Sequence, residues 1–117
     1  MYSDRLLDHF QHPRNAGELQ PPATTIEVLN PACGDILRLS ALIEDGRITR
    51  AAFKTRGCTA SIAASSALTE LITGRTIAEL AKITREMIED AVGGLSPESQ
   101  HASALAADGI RALLARV

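Results

Sequence analysis

The chain has 117 residues, 45% hydrophobic and 22% charged, with a formal net charge of −2 at pH 7 and a pI near 5.9. This length predicts a single domain over residues 1–117, and the acidic balance argues against nucleic-acid binding, which usually needs a basic excess. No apolar run approaches the roughly 20 residues of a membrane helix, and charges stand where a signal peptide would be apolar. We therefore expect a cytoplasmic protein that binds no nucleic acid and no membrane.

The first half of the chain shows one helical pattern and then three strand patterns. Apolar residues recur at helical spacing over residues 3–11, and Pro13 and Gly17 mark the turn that follows. Alternation of apolar and polar residues predicts strands over residues 25–29, 37–43 and 47–55. A hairpin loop over residues 44–46, with Gly46 as its left-handed residue, joins the last two strands.

From Cys58 onward the pattern is helical. It predicts helices over residues 59–73, 76–81, 84–92 and about 97–116. The inner face of the last helix is predicted to carry Ala102, Leu105, Ala106, Ile110, Leu113 and Val117. Strands followed by helices predict an α+β fold: a small antiparallel three-stranded sheet, with an N-terminal helix and several C-terminal helices packed on one face.

The predicted hairpin brings the two cysteines of the chain near each other. Its loop predicts that Leu37 faces Phe53 on the neighbouring strand, to within a residue or two. Continuing the same pairing brings Cys33 next to Cys58 at one end of the sheet, and directly paired Cα atoms lie about 4.5–5.5 Å apart. A non-exported protein is expected to keep both thiols reduced.

The surroundings of the cysteines are suited to a metal. Cys58 immediately precedes a helix, whose free N–H groups and dipole favour a thiolate, and Lys54 and Arg56 add positive charge nearby. Asp35 follows Cys33 closely and offers an oxygen ligand. Two cysteines are nevertheless too few for a metal site made of cysteine alone. Both cysteines as small buried hydrophobes, or a disulfide across the hairpin, are the alternatives from spacing.

The three histidines give weaker signals. His9 and His12 lie three residues apart at the end of the first predicted helix, and nothing beside them completes a site. We interpret them as belonging to an exposed face and a turn. His101 lies in the first turn of the last predicted helix, where on its own it is interpreted as structural.

Several segments, in chain order, resemble the NifU/IscU-type iron–sulfur cluster scaffold proteins. Residues 2–15 resemble the opening of that family, residues 31–35 (Pro-Ala-Cys-Gly-Asp) its first cysteine motif, and residues 53–66 its second. Residues 93–97 (Gly-Gly-Leu-Ser-Pro), followed by His101-Ala102-Ser103, stand where the family has a third motif with a His-Cys pair. The resemblance covers essentially the whole chain.

The resemblance implies a scaffold that is not an enzyme. Such a scaffold accepts sulfur from a cysteine desulfurase, gathers iron, builds a labile [2Fe-2S] cluster and passes it to apo iron–sulfur acceptor proteins. It also implies a ligand set of Cys33, Asp35, Cys58 and His101, with Ala102 in place of the third cysteine. The segment that IscU-type scaffolds present to a chaperone is replaced by residues 95–99, which makes that contact doubtful.

Four ligands remain without the third cysteine, and they suffice by count for a [2Fe-2S] cluster, since each iron needs two besides the sulfides. The same four suit one Zn²⁺ ion. Two alternatives therefore stand beside the cluster scaffold. One is a degenerate relative that binds zinc or a cysteine desulfurase without building clusters. The other is a zinc-dependent sulfur acceptor that uses Cys33 or Cys58 as its thiolate.

Overall fold

The computed structural model of the chain describes residues 2–31 and 34–117. In chain order the elements are α1 (Asp4–Gln11), β1 (Thr24–Leu29), β2 (Ile36–Glu44), β3 (Arg47–Arg56), α2 (Thr59–Ile72), α3 (Ile77–Leu80), α4 (Arg85–Ala91), a 3-10 turn (Pro97–Ser99) and α5 (His101–Leu114). This order confirms the predicted α+β fold. The last predicted helix is divided, because the 3-10 turn precedes the α-helix. No helix in the described ranges is long and apolar enough to cross a membrane.

The three strands form one antiparallel sheet in the order β1-β2-β3. Asp45 and Gly46 form the two-residue loop of the β2–β3 hairpin, and both have positive φ (53° and 74°), as a type I′ turn requires. The hairpin is therefore confirmed, with a loop one residue shorter than predicted.

The predicted pairing within this hairpin is shifted. Leu37 pairs with Thr55, two residues beyond the predicted Phe53. The shorter loop accounts for one residue of this shift. A bulge accounts for the other, because Ile48 pairs with Ile43 and Arg50 with Leu42, which leaves Thr49 as the extra residue.

The helices α2 and α5 pack against one face of the sheet, as predicted. Thr55 donates a hydrogen bond of 2.7 Å to Ser65 of α2, on the face where Leu37 of β2 is fully buried. Gly109 lets α5 approach this face closely, since a Cβ there would lie 2.7 Å from Leu37 Cδ2. The opposite face carries exposed polar residues, among them Glu27, Arg38 and Lys54.

The predicted inner face of α5 is confirmed except at its end. Five of its six predicted residues are buried, namely Ala102, Leu105, Ala106, Ile110 and Leu113. Val117 is 46% exposed and lies beyond the last helical residue, so its assignment to the core is wrong. The helical period stops at Leu114, and a residue past the end of a helix no longer follows the apolar stripe.

His9 corrects the interpretation of the first helix. It is 8% exposed, and its Nδ1 lies 2.8 Å from Ser66 Oγ on α2. The Ser66 hydroxyl oxygen also accepts the Arg14 main-chain N–H, so its own proton is available to Nδ1. The exposed-face interpretation is thus wrong for His9, because α1 packs on α2. His12, at the end of α1, is exposed as predicted.

The burial of His9 predicts how stability depends on pH. Burial lowers the pKa of His9 below 6.5, and the nearby Arg14 charge lowers it further. Between the lowered pKa and 6.5 only the unfolded chain binds the proton, so the free energy of unfolding should fall as the pH drops below about 6.5. A His9→Asn variant keeps an acceptor for Ser66 but cannot titrate. Urea unfolding across this pH range should show a flatter dependence for the variant; equal slopes would contradict the prediction.

Candidate metal site

Three of the four predicted ligand residues lie together at one end of the sheet. Cys58 Sγ is 3.4 Å from His101 Nε2 and 3.9 Å from Asp35 Oδ2, and the last two atoms are 3.6 Å apart. One donor atom from each residue thus lies within 4.8 Å of the others. Cys33, the fourth predicted ligand, lies outside the described residues.

The hairpin places two of these residues next to each other. Ile36 and Arg56 are the last pair of the β2–β3 ladder, Asp35 precedes the first of them and Cys58 follows the second after one glycine. The two-residue shift in pairing does not separate Asp35 and Cys58, because β2 begins and β3 ends at the same end of the sheet. Gly57 lies directly before Cys58, and a Cβ on it would lie only 2.6 Å from Asp35 Cγ. The absence of a side chain at Gly57 therefore leaves room for the Asp35 carboxyl group.

The third residue, His101, comes from the start of α5. Its Nδ1 lies 3.1 Å from the Glu98 main-chain carbonyl oxygen, which can only accept a hydrogen bond. The proton therefore sits on Nδ1 in the neutral ring, and the lone pair on Nε2 faces Cys58 and Asp35. A hydrogen bond from the ring nitrogen that does not face the metal fixes the tautomer and orientation of histidines that bind metals.

Cys58 is exposed and is a free thiol. It is the N-cap residue of α2, as predicted, and its side chain makes no capping hydrogen bond. The thiol is therefore available to a ligand at the end of a helix whose first N–H groups favour negative charge. The alternative that both cysteines are buried apolar side chains is wrong for Cys58.

Two further residues lie beside the ligand residues, and no strong sequence pattern points to the first of them. Ser61 is fully buried, and its hydroxyl donates a hydrogen bond of 2.5 Å to Asp35 Oδ2. The only sequence signal is its spacing, three residues after Cys58 and so on the same face of the helix. Ala102 follows His101, is 1% exposed and belongs to the hydrophobic core.

Comparison with known proteins gives one consistent result. Residues 1–116 match the NifU-like N-terminal domain. The chain is 46% identical to an iron–sulfur cluster assembly scaffold protein, IscU 1, from Archaeoglobus fulgidus, over 95% of this chain and 72% of that protein. It is 44% identical to the scaffold protein IscU from Azotobacter vinelandii, over 95% and 89% of the two chains. The crystal structure of a NifU-like N-terminal domain from Brucella abortus, at 24% identity, shares the fold with a TM-score of 0.64 over 97% of this chain and 80% of that one.

Proposed function

Since this chain belongs to the family of NifU-like N-terminal domains and IscU-type scaffolds, we propose that it holds iron or a labile [2Fe-2S] cluster as cargo during iron–sulfur cluster assembly. The observation that carries this proposal is the convergence of Asp35, Cys58 and His101 at the end of the sheet. Iron and cluster are cargo in this function, which makes the protein a scaffold or carrier and not an enzyme.

The spacing of the three donor atoms fits a single metal ion. A tetrahedral ion bound at about 2.0–2.3 Å keeps its donors about 3.3–3.8 Å apart. Two of the observed separations, 3.4 and 3.6 Å, fall within this range, and the third, 3.9 Å between Cys58 Sγ and Asp35 Oδ2, is slightly longer. Thiolate, imidazole and carboxylate are ligands that iron and zinc both accept, so Zn²⁺ suits the same atoms. The geometry therefore supports metal binding and leaves the choice of metal to availability and chemistry.

We assign Cys33 as the fourth ligand, because it stands in the first cysteine motif two residues before Asp35. Four ligands provide the two that each iron of a [2Fe-2S] cluster needs besides its sulfides. A set with two cysteines, one histidine and one aspartate is poorer in thiolates than an all-cysteine set, and neutral imidazole in place of thiolate raises the reduction potential. The cargo should therefore be held weakly enough to be passed on.

A scaffold of this kind needs one partner that supplies sulfur and another that receives the finished cluster. We propose that sulfur comes from a cysteine desulfurase and that the cluster passes to apo iron–sulfur acceptor proteins. The scaffold relatives support this proposal by their names. We place the function in the cytoplasm, where thiols stay reduced.

Anaerobic reconstitution with iron and sulfide tests the proposal. The parent protein should gain visible cluster absorption and acid-labile sulfide, and Cys58→Ala should lose most of both, because it removes a thiolate from the site. His12→Ala is the matched control, since it removes an exposed imidazole, a group that can bind metals, from a position outside the site. A parent without cluster, or a Cys58→Ala variant that keeps as much sulfide as the parent, would contradict the proposal.

A further inference from the structure

The buried hydroxyl of Ser61 lies against the candidate site. Ser61 is the third residue of α2 and has no exposed surface. Its Oγ is 2.5 Å from Asp35 Oδ2 and 3.4 Å from Cys58 Sγ. A serine inside a helix usually turns its hydroxyl to solvent or to the carbonyl four residues back. Ser61 instead directs its hydroxyl to a carboxylate from another part of the chain.

Among the polar contacts that the Asp35 carboxylate makes with the described residues, this hydrogen bond is the shortest. The other polar neighbours of Oδ2, His101 Nε2 and Cys58 Sγ, are 3.6 and 3.9 Å away. A serine hydroxyl carries one proton, so donation to Asp35 leaves none for the sulfur. A charge-assisted O–H···O⁻ bond of this length is among the stronger hydrogen bonds in proteins.

The Asp35 carboxylate is also buried close to Gly57. Asp35 is 7% exposed, and the missing side chain of Gly57 leaves the space that its carboxyl group occupies. Ser61 uses one lone pair of Oδ2, and a carboxylate has further acceptor positions on its two oxygens with which it can bind a metal. The carboxylate is therefore oriented before any metal arrives.

We propose that Ser61 is a positioning residue of the metal site, which acts on the metal through Asp35 and does not bind it. This inference rests on the proposed function, because it concerns the same site. Hydrogen-bond partners of ligating carboxylates typically change metal affinity about 10–100-fold when removed. The hydroxyl of Ser61 sets how firmly the one oxygen ligand holds the cargo.

Titration of the metal-free protein with Co²⁺, followed by visible absorption, tests this role. Ser61→Ala should weaken Co²⁺ binding about tenfold or more and change the d–d bands in the same way as Asp35→Ala. Ser65→Ala is the matched control: Ser65 lies one turn further along α2, is also buried, accepts a hydrogen bond from Thr55 and donates one to the Ser61 main-chain carbonyl. Its Co²⁺ affinity and spectrum should match those of the parent.

A double-mutant cycle separates positioning from a general structural effect. Because Ser61 acts through Asp35, Ser61→Ala should cause no further loss of affinity in an Asp35→Ala background. Two results would overturn the role of Ser61 and leave the proposed function standing, provided that the parent binds Co²⁺. One is a Ser61→Ala variant with the same Co²⁺ affinity as the parent. The other is a double variant whose loss of affinity equals the sum of the losses of Ser61→Ala and Asp35→Ala. If the parent bound no Co²⁺, both would be overturned.

Discussion

Replacement of Gly57 by alanine is expected to disrupt the candidate metal site by displacing the Asp35 carboxylate. The new Cβ would lie 2.6 Å from Asp35 Cγ and within 2.9 Å of both carboxylate oxygens. Real Cβ atoms do not tolerate such distances, so Asp35 must move and lose its bond to Ser61. We expect Co²⁺ affinity to fall by more than about tenfold and the free energy of unfolding to fall by about 1–3 kcal/mol.

A second glycine provides a close control for this variant. A Cβ at Gly109 would lie 2.7 Å from Leu37 Cδ2, which is a clash of similar severity in the core and away from the site. Gly109→Ala should therefore lose stability in urea unfolding while it keeps the Co²⁺ affinity of the parent. Equal losses of affinity in the two variants would show that Gly57→Ala acts by general destabilisation and not through Asp35.

A cysteine at position 102 is expected to strengthen cluster binding. The resemblance implies that this position, directly after His101, corresponds to the third cysteine of the scaffold motif, so Ala102→Cys should add a third thiolate to the proposed ligand set. We expect the reconstituted cluster to survive a chelator more than about tenfold longer than in the parent. The reduction potential should also fall, since thiolate replaces a weaker donor. Loss of visible absorption after addition of the chelator measures the first effect.

Ala106→Cys distinguishes a new ligand from a new thiol. Ala106 lies one helical turn further along the inner face of α5 and is as buried as Ala102, at 1% exposure. A thiol there faces the core and should behave as a small apolar group. If Ala106→Cys stabilised the cluster as well as Ala102→Cys, or if neither did, position 102 would not be the place of a missing ligand.

The hairpin shows how far local sequence patterns can predict the site. Gly46 and the regular alternation of the flanking strands predict a hairpin that brings Cys33 near Cys58. The proximity of Asp35, two residues after Cys33, to Cys58 follows from the same hairpin. The pairing within the hairpin could not be predicted, because the extra residue of the bulge, Thr49, is as typical of a strand as its neighbours. A bulge depends on packing across the sheet and leaves no local pattern.

The contacts made by α1 and α5 required different information. Nothing local to His101 indicates that the first residue of α5 reaches the end of the sheet; only the resemblance predicted it. His9 was misinterpreted because its partner, Ser66, lies 57 residues away in the chain. Ser61 stands in an alanine- and serine-rich helix in which Ser65 and Ser66 are also buried. Composition therefore does not distinguish the serine beside the ligands from the serines that bond within the core.

The way the three ligand residues enter the site has a mechanical consequence. Asp35 and Cys58 are fixed to the sheet, whereas His101 is carried by α5 and by the 3-10 turn before it. A bound ion would thus act as a cross-link that ties the start of α5 to the sheet, in the way that a clip closes a long loop. Loading would tighten the seating of that helix and unloading would relax it.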